Sequence, residues 1–301
     1  MRCCMSTLSP EVLSRIRKIE LLTRRRVQER FSGAYHSIFK GRGVEFDAVR
    51  PYQYGDNVRD IDWLVSARMG EPYIKSYHEE RELTVFIVVD ASASLFFGTQ
   101  KYQKNELATE IGAILALSAI TNNDKVGLLI FDDRIRSVLP PRKGKNHILM
   151  IIHDLMTLQL ASNGTDLSVG LNAINRHLRQ RSIVFFISDF LDSIPAYERE
   201  LLITAQKHDF IAVCISDPLE NRWSDMGLVR LRDAETGEQI IIDTHHPQWR
   251  SQFSKQALRF EAQRKKLFSR ARIDAIYVDT TGDSYRALSQ FFDQRASRIR
   301  R

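Results

Sequence analysis

Leu83-Thr84-Val85-Phe86-Ile87-Val88-Val89-Asp90-Ala91-Ser92-Ala93-Ser94 joins a largely apolar, β-branched run to an acid followed by two hydroxyls at alternate positions. The apolar part is continuous rather than alternating, which is the pattern of a strand buried on both faces of a parallel sheet. In open α/β sheets ligands gather at the carboxyl ends of such strands, and Asp90 stands at that end. The loop beyond it can aim the Ser92 and Ser94 hydroxyls at the same point. Carboxylate and hydroxyl oxygens are hard ligands, so the pattern points to Mg²⁺, or to Mn²⁺ or Ca²⁺, rather than zinc or copper.

Outward from this stretch, strand and helix patterns alternate. Strands are expected at 83–89, 126–131, 183–187, 210–215 and 273–278, with helices at about 104–121, 145–158, 167–180, 197–207 and 248–269. This order predicts an α/β domain with a doubly wound, mainly parallel sheet over residues 82–301. A late hairpin is expected from 228–231 and 239–242 around the turn residues Glu235-Thr236-Gly237. Residues 1–81 have a different texture. An amphipathic helix over 10–29, apolar at Val12, Ile16, Ile19 and Leu22 and capped by Ser9, precedes a small β-rich appendage with pieces at 41–46, 49–52 and 73–77. Tyr52 and Trp63 are expected to pack, and Gly55-Asp56 to turn.

At 301 residues, 43% hydrophobic and 27% charged, the composition is that of a globular protein. The longest apolar helical stretch, 111–120, is too short for a membrane span. Met1-Arg2-Cys3-Cys4-Met5 is followed by no apolar region, so no secretory signal is expected and the expected location is cytoplasmic. Cys3, Cys4 and Cys214 form no C-x-x-C pair, which argues against a disulfide frame or a zinc site and fits a reducing compartment. Cys214, inside an apolar run, reads as an inert buried thiol. The net charge of +7 is concentrated at Arg24-Arg25-Arg26 and at Arg295, Arg298, Arg300 and Arg301. Such runs can attract nucleic acid, an anionic membrane surface or an acidic partner, or simply form solvated helix faces.

Two further segments supply oxygen ligands. Ser162-Asn163-Gly164-Thr165-Asp166 opens one helix, and Ser188-Asp189-Phe190-Leu191-Asp192 follows the strand 183–187. Taken singly, Thr165 and Asp166 read as helix caps and Asp189 as a strand terminus. Together with Asp90, Ser92 and Ser94 the set resembles the von Willebrand factor A-type domain. Its metal-ion-dependent adhesion site uses D-x-S-x-S after the first strand, a Thr from a later loop and an Asp after a central strand. The resemblance implies that Asp90, Ser92, Ser94, Thr165 and Asp189 hold one divalent cation, with Asp166 and Asp192 outside the ligand set.

Upstream, Arg50-Pro51-Tyr52-Gln53-Tyr54-Gly55-Asp56-Asn57-Val58-Arg59-Asp60-Ile61-Asp62-Trp63, then Ser66-Ala67-Arg68 and Glu79-Glu80-Arg81-Glu82, resembles the signature of a bacterial family of unknown function, DUF58 (DUF fifty-eight). That resemblance implies a MoxR-type AAA+ ATPase as partner, and a role in protein maturation or complex assembly.

Mg²⁺ takes about six oxygens and keeps some waters, so these five side chains need not close its shell. Neutral hydroxyl ligands leave the ion electropositive enough to attract a carboxylate from another protein. The expected function is therefore metal-dependent protein interaction without catalysis. The rival is a Mg²⁺-dependent phosphoryl-transfer or hydrolytic enzyme using Asp90. A haloacid-dehalogenase-type phosphatase needs a second acid two residues on, where Ser92 stands, and a phosphoacceptor site needs an acidic pair with a nearby lysine, which the sequence does not display. No G-x-S-x-G elbow or nucleotide fingerprint is present, and adjacent His245 and His246 point apart. A third reading, nucleic-acid binding through the basic termini, lacks any zinc-finger, helix-turn-helix or aromatic stacking motif.

Overall fold

The computed structural model describes residues 45–54, 56–58, 61–78, 83–100, 102–158, 164–232 and 238–299. The expected helix at 10–29, Cys3, Cys4 and the Arg24 to Arg26 run lie outside them. The described residues fall into two compact units, one ending at residue 78 and one beginning at 83.

The smaller unit pairs β1 (Glu45–Pro51) antiparallel with β2 (Tyr73–His78), and places between them a helix not anticipated from the sequence, α1 (Trp63–Met69). Asp62 caps α1 by accepting from the Leu64 and Val65 amides at 3.0 and 3.2 Å, and Gly70 ends it at φ +78°, a conformation that favours glycine. Ser66 Oγ donates to the Asp62 carbonyl at 2.7 Å and accepts from the Tyr73 amide at 2.8 Å, tying α1 to β2. Arg50 grips Asp56 through two bonds of 2.8 Å, while the Gln53 amide donates to the same carboxylate. Arg50, Asp56, Asp62 and Ser66 thus account for part of the upstream signature as turn and cap chemistry. Trp63 does not pack as expected, because α1 turns it outward and leaves it 69% exposed.

The larger unit is a six-stranded sheet between two helical layers. Its strands are β3 (Thr84–Asp90), β4 (Lys125–Phe131), β5 (Ile135–Arg142), β6 (Ile183–Ser188), β7 (Asp209–Ser216) and β10 (Asp274–Asp279), in the spatial order β10-β7-β6-β3-β4-β5. All neighbours are parallel except β4 and β5. The hairpin strands β8 (Leu228–Arg232) and β9 (Gln239–Asp243) pair apart from this sheet. The helices are α2 (Lys104–Thr121), α3 (Lys145–Met156), α4 (Leu167–His177), α5 (Ile194–Lys207), α6 (Pro218–Asn221), α7 (Pro247–Arg270) and α8 (Ser284–Ile299). The expected doubly wound, mainly parallel α/β class is what is observed. No helix among the described residues is long and apolar enough to cross a membrane.

Phe86, Val88, Phe131, Phe186 and Phe210 of the sheet pack with Leu171 and Ile174 of α4, Leu201 of α5 and Phe268 of α7 in one buried cluster. On the other face α2 packs against α3 and α8, with Phe292 of α8 set edge-on to Phe185 of β6. Three elements of this unit were not anticipated, among them the four-residue α6. β5 carries Pro140 and Pro141, tolerable because β5 is an edge strand. α8 buries Leu288 and Phe292, one turn apart on a helix rich in polar residues. Arg295 and Arg298 on α8 pair with Asp209 and Asp274 at 2.5 and 3.0 Å, so these two charges are spent on the sheet rather than forming a free basic patch.

The chain starts this sheet at its centre, with β3. It builds β4 and β5 to one side, then returns to add β6, β7 and β10 on the other. The winding therefore reverses between β3 and β6, and the carboxyl ends there flank a natural crevice.

Candidate metal centre

Asp90, the last residue of β3, lies fully buried in that crevice. The Ser92 amide donates to its Oδ1 at 2.9 Å, folding the loop back over the strand end. Ser188 Oγ, from the end of β6, donates to Oδ2 at 2.7 Å and bridges the two strands at the reversal. The Ala91 amide donates to the Phe131 carbonyl at 2.7 Å, fixing the loop against β4. Ser92 and Ser94 bring their Oγ atoms 3.1 Å apart. Bonds of about 2.1 Å to an octahedral Mg²⁺ place adjacent oxygens about 3 Å from one another, so this spacing suits two neighbouring ligands.

Asp189 follows β6 in a tight turn. Phe190 holds the left-handed region at φ +53°, unusual for an aromatic residue, and is kept there by burial against Phe186, Tyr197 and Phe268. Asp189 Oδ1 accepts from the Leu191 amide at 3.2 Å, and Oδ2 accepts from Lys104 Nζ at 2.7 Å. Lys104, in the first turn of α2, is fully buried and also donates to Glu220 of α6. Burial works against the Lys104 charge, but the Asp189 and Glu220 carboxylates outweigh it and hold the ammonium above its ordinary value. Glu220 has a single ammonium to share, so burial keeps its carboxyl above the ordinary range despite Lys104. Burial, reinforced by the Asp189 charge and opposed by bonds from Ser92 and Ser188, pushes Asp90 up to about 7. Asp90, Asp189, Glu220 and Lys104 together carry two negative charges when all are ionised, and the Ser92 amide and Ser188 hydroxyl that donate to Asp90 are neutral. A buried carboxylate in that position, beside paired hydroxyls, fits a divalent cation.

Thr165 is half-buried in the loop entering α4. On one side of it, a Cβ added to Gly164 would sit 3.6 Å from Asp133 Cβ beyond β4. On the other, the Leu167 amide donates to Asp192 Oδ2 beyond β6 at 3.3 Å. Its loop therefore spans the same carboxyl edge. Ser162 and Asn163 lie outside the described residues, and Asp166 caps α4 through the Ser168 amide at 2.8 Å.

Among the described residues no group of three or more His, Cys, Asp or Glu side chains could hold a metal, so any cation here depends on the hydroxyls. His245 and His246 are exposed and face Asp225 and Asp243. Cys214 is buried, and burial pushes its thiol up to about 12, as expected of an inert cysteine.

Sequence reasoning missed Ser188 as a bridge, and it missed Lys104 and Glu220 altogether. The lysine beside the carboxylates, which the sequence did not display, is Lys104. Lys104 opens an apolar helix, where a lysine ordinarily reads as a solvated first-turn residue, and only the fold turns it inward.

The family model described as "Protein of unknown function DUF58" matches residues 48–263. The chain belongs to the DUF58 family. Another protein similar to it is Uncharacterized protein Mb1516 of Mycobacterium bovis, 32% identical over 252 residues, with 82% of this chain and 78% of that protein covered. Among solved structures it is similar to the conserved hypothetical protein BatB from Bacteroides thetaiotaomicron, at 17% identity and a TM-score of 0.47, covering 71% of this chain and 99% of that one. It is also similar to the SpRpn10 VWA domain, at 14% identity and a TM-score of 0.40, covering 71% and 95%. The DUF58 match begins within β1 and runs into α7, so it takes in parts of both units.

Proposed function

We propose that this DUF58 protein is a divalent-cation-dependent protein-interaction module that works with a MoxR-type AAA+ ATPase in protein maturation or complex assembly. The observation that carries the reading is the buried Asp90 carboxylate beside the paired Ser92 and Ser94 hydroxyls at the point where the sheet winding reverses. Asp90, Ser92 and Ser94 would hold the cation, with Thr165 and Asp189 on the same rim. A bound Mg²⁺ would supply an electropositive point for a carboxylate of the partner protein. The chain's own residues do the remaining work. Ser188 and the Ser92 amide orient Asp90, Phe190 sets the turn that aims Asp189, and Lys104 limits the negative charge so that one dication balances the cluster. A transferase or hydrolase reading gains little from Lys104, because its ammonium is buried and engaged by two carboxylates rather than open to a phosphoryl group. The ATPase partner is carried over from the family resemblance.

The test is thermal unfolding of metal-stripped protein against rising Mg²⁺, Mn²⁺ and Ca²⁺, with Asp90→Asn and Ser92→Ala alongside. Cation at one hundred times its dissociation constant should stabilise the parent by about 2.7 kcal/mol. Both variants should lose the response while keeping their fold. Co-sedimentation with the ATPase should weaken on chelation. An unchanged response in Asp90→Asn would refute the site, and chelator-insensitive co-sedimentation would refute the metal-dependent contact.

A further inference from the structure

A cavity of about 550 Å³ opens at the carboxyl ends of β6, β7 and β10, between the sheet and α7. Its walls include the aromatic rings of Phe253, Phe260 and Tyr277, and its floor includes Cys214 and Arg264. Such a volume and lining are those of a small-ligand site.

Arg264 decides what the cavity can take. It is only 7% exposed, and its Nη1 donates to the Asp189 carbonyl at 2.7 Å. Its Nε has no acceptor, and no described carboxylate lies within ion-pair distance of the guanidinium. The acids nearby are engaged elsewhere. Asp189 and Glu220 share Lys104, and Glu261 takes Lys265 at 2.5 Å. Lys265 also lies 5.2 Å from the centre of the Tyr277 ring. A guanidinium has five donors in a planar fork, and burying it with one neutral acceptor is costly unless a further acceptor arrives.

We propose that this cavity binds an organic carboxylate with an aromatic or branched apolar body, its carboxylate accepting from the Arg264 guanidinium and its body lying against Phe253, Phe260 and Tyr277. The chemistry is shared by two sources, a free small acid and the carboxyl terminus of a peptide chain. The site needs no metal; because Asp189 and Glu220 also line it, the titrations are run on metal-stripped protein, so that their failure and the failure of the function proposed above are distinguishable.

The experiment is calorimetric titration of the full-length chain with 3-phenylpropanoate, its uncharged amide, inorganic phosphate, and a short peptide ending in phenylalanine as free acid and as amide. Binding of either carboxylate, with at least tenfold weaker binding of the matching amide and of phosphate, supports the proposal. The tighter of the two carboxylates identifies the source. Arg264→Gln should weaken that binding at least tenfold. Ala257→Phe, which fills the cavity and keeps the charge, should abolish it, and stands as the control if Arg264→Gln does not fold. The proposal fails if neither carboxylate binds at millimolar concentration to folded protein. It also fails if amide or phosphate binds as well as the acid, or if Ala257→Phe binds normally.

Discussion

Replacing Lys104 by methionine keeps most of the buried stem and removes only the charge. In the parent the Lys104 side chain is 0% exposed, and its two carboxylate partners are 2% and 17% exposed. The variant leaves Asp189 and Glu220 facing each other beside Asp90 without a cation. Removing one partner of a buried ion pair typically costs about 3–5 kcal/mol, because the remaining charge is uncompensated. For a unit of this size each kcal/mol shifts Tm by about 2–4 °C, so the melting point should fall by about 6–20 °C. Chemical denaturation of metal-free protein at pH 7.5 measures the loss directly. The double variant Lys104→Met with Glu220→Gln removes one orphaned charge and should recover part of it. Raising the cluster's net charge from two to three negative should also enlarge the stabilisation by Mg²⁺ relative to the parent. A loss below about 1 kcal/mol in Lys104→Met, or a double variant weaker than the single, would refute the view that Lys104 neutralises the buried acids.

Two further outcomes are expected. The folded protein keeps the Asp90 proton up to about pH 7, whereas the unfolded chain releases it near 3.8. Metal-free stability should therefore decline as pH rises through that window and level off above it, and the decline should be shallower in Asp90→Asn. Denaturation midpoints at pH 5 and pH 8 measure this, and equal slopes in parent and variant would contradict it. Gly127→Ala places a Cβ 2.6 Å from the Phe86 ring and 2.9 Å from the Leu139 carbonyl, so it should cost about 1–3 kcal/mol by urea denaturation. A neutral result there would show that β3, β4 and β5 have room to relax.

The central strands were legible because burial on both faces writes a continuous apolar run, a signal carried by consecutive residues. The order of those runs was enough for the doubly wound class. The D-x-S-x-S stretch, the Thr165 loop and the Asp189 turn were legible as strand-end polar segments, since a sheet puts such ends on one edge. β5 was not, because an edge strand needs no buried face and two prolines disguise it. α8 was missed because Leu288 and Phe292 are a sparse apolar stripe among Arg, Gln and Asp. The turn and cap bonds of Arg50, Asp56, Asp62 and Ser66 were present as letters but had no geometry until α1 was placed between β1 and β2.

By itself, then, the sequence determined the α/β class, the positions of the main strands and the choice of hard oxygen donors, all of which depend on local pattern. Tertiary structure alone decided which charges meet. Lys104 reaches Asp189 and Glu220 across 85 and 116 residues, Ser188 reaches Asp90 across 98, and Arg264 reaches the Asp189 carbonyl across 75. No periodicity encodes such pairs, because each depends on how α2, α6 and α7 close over the sheet. That closure takes Lys104 out of water and leaves Arg264 with a fork to fill.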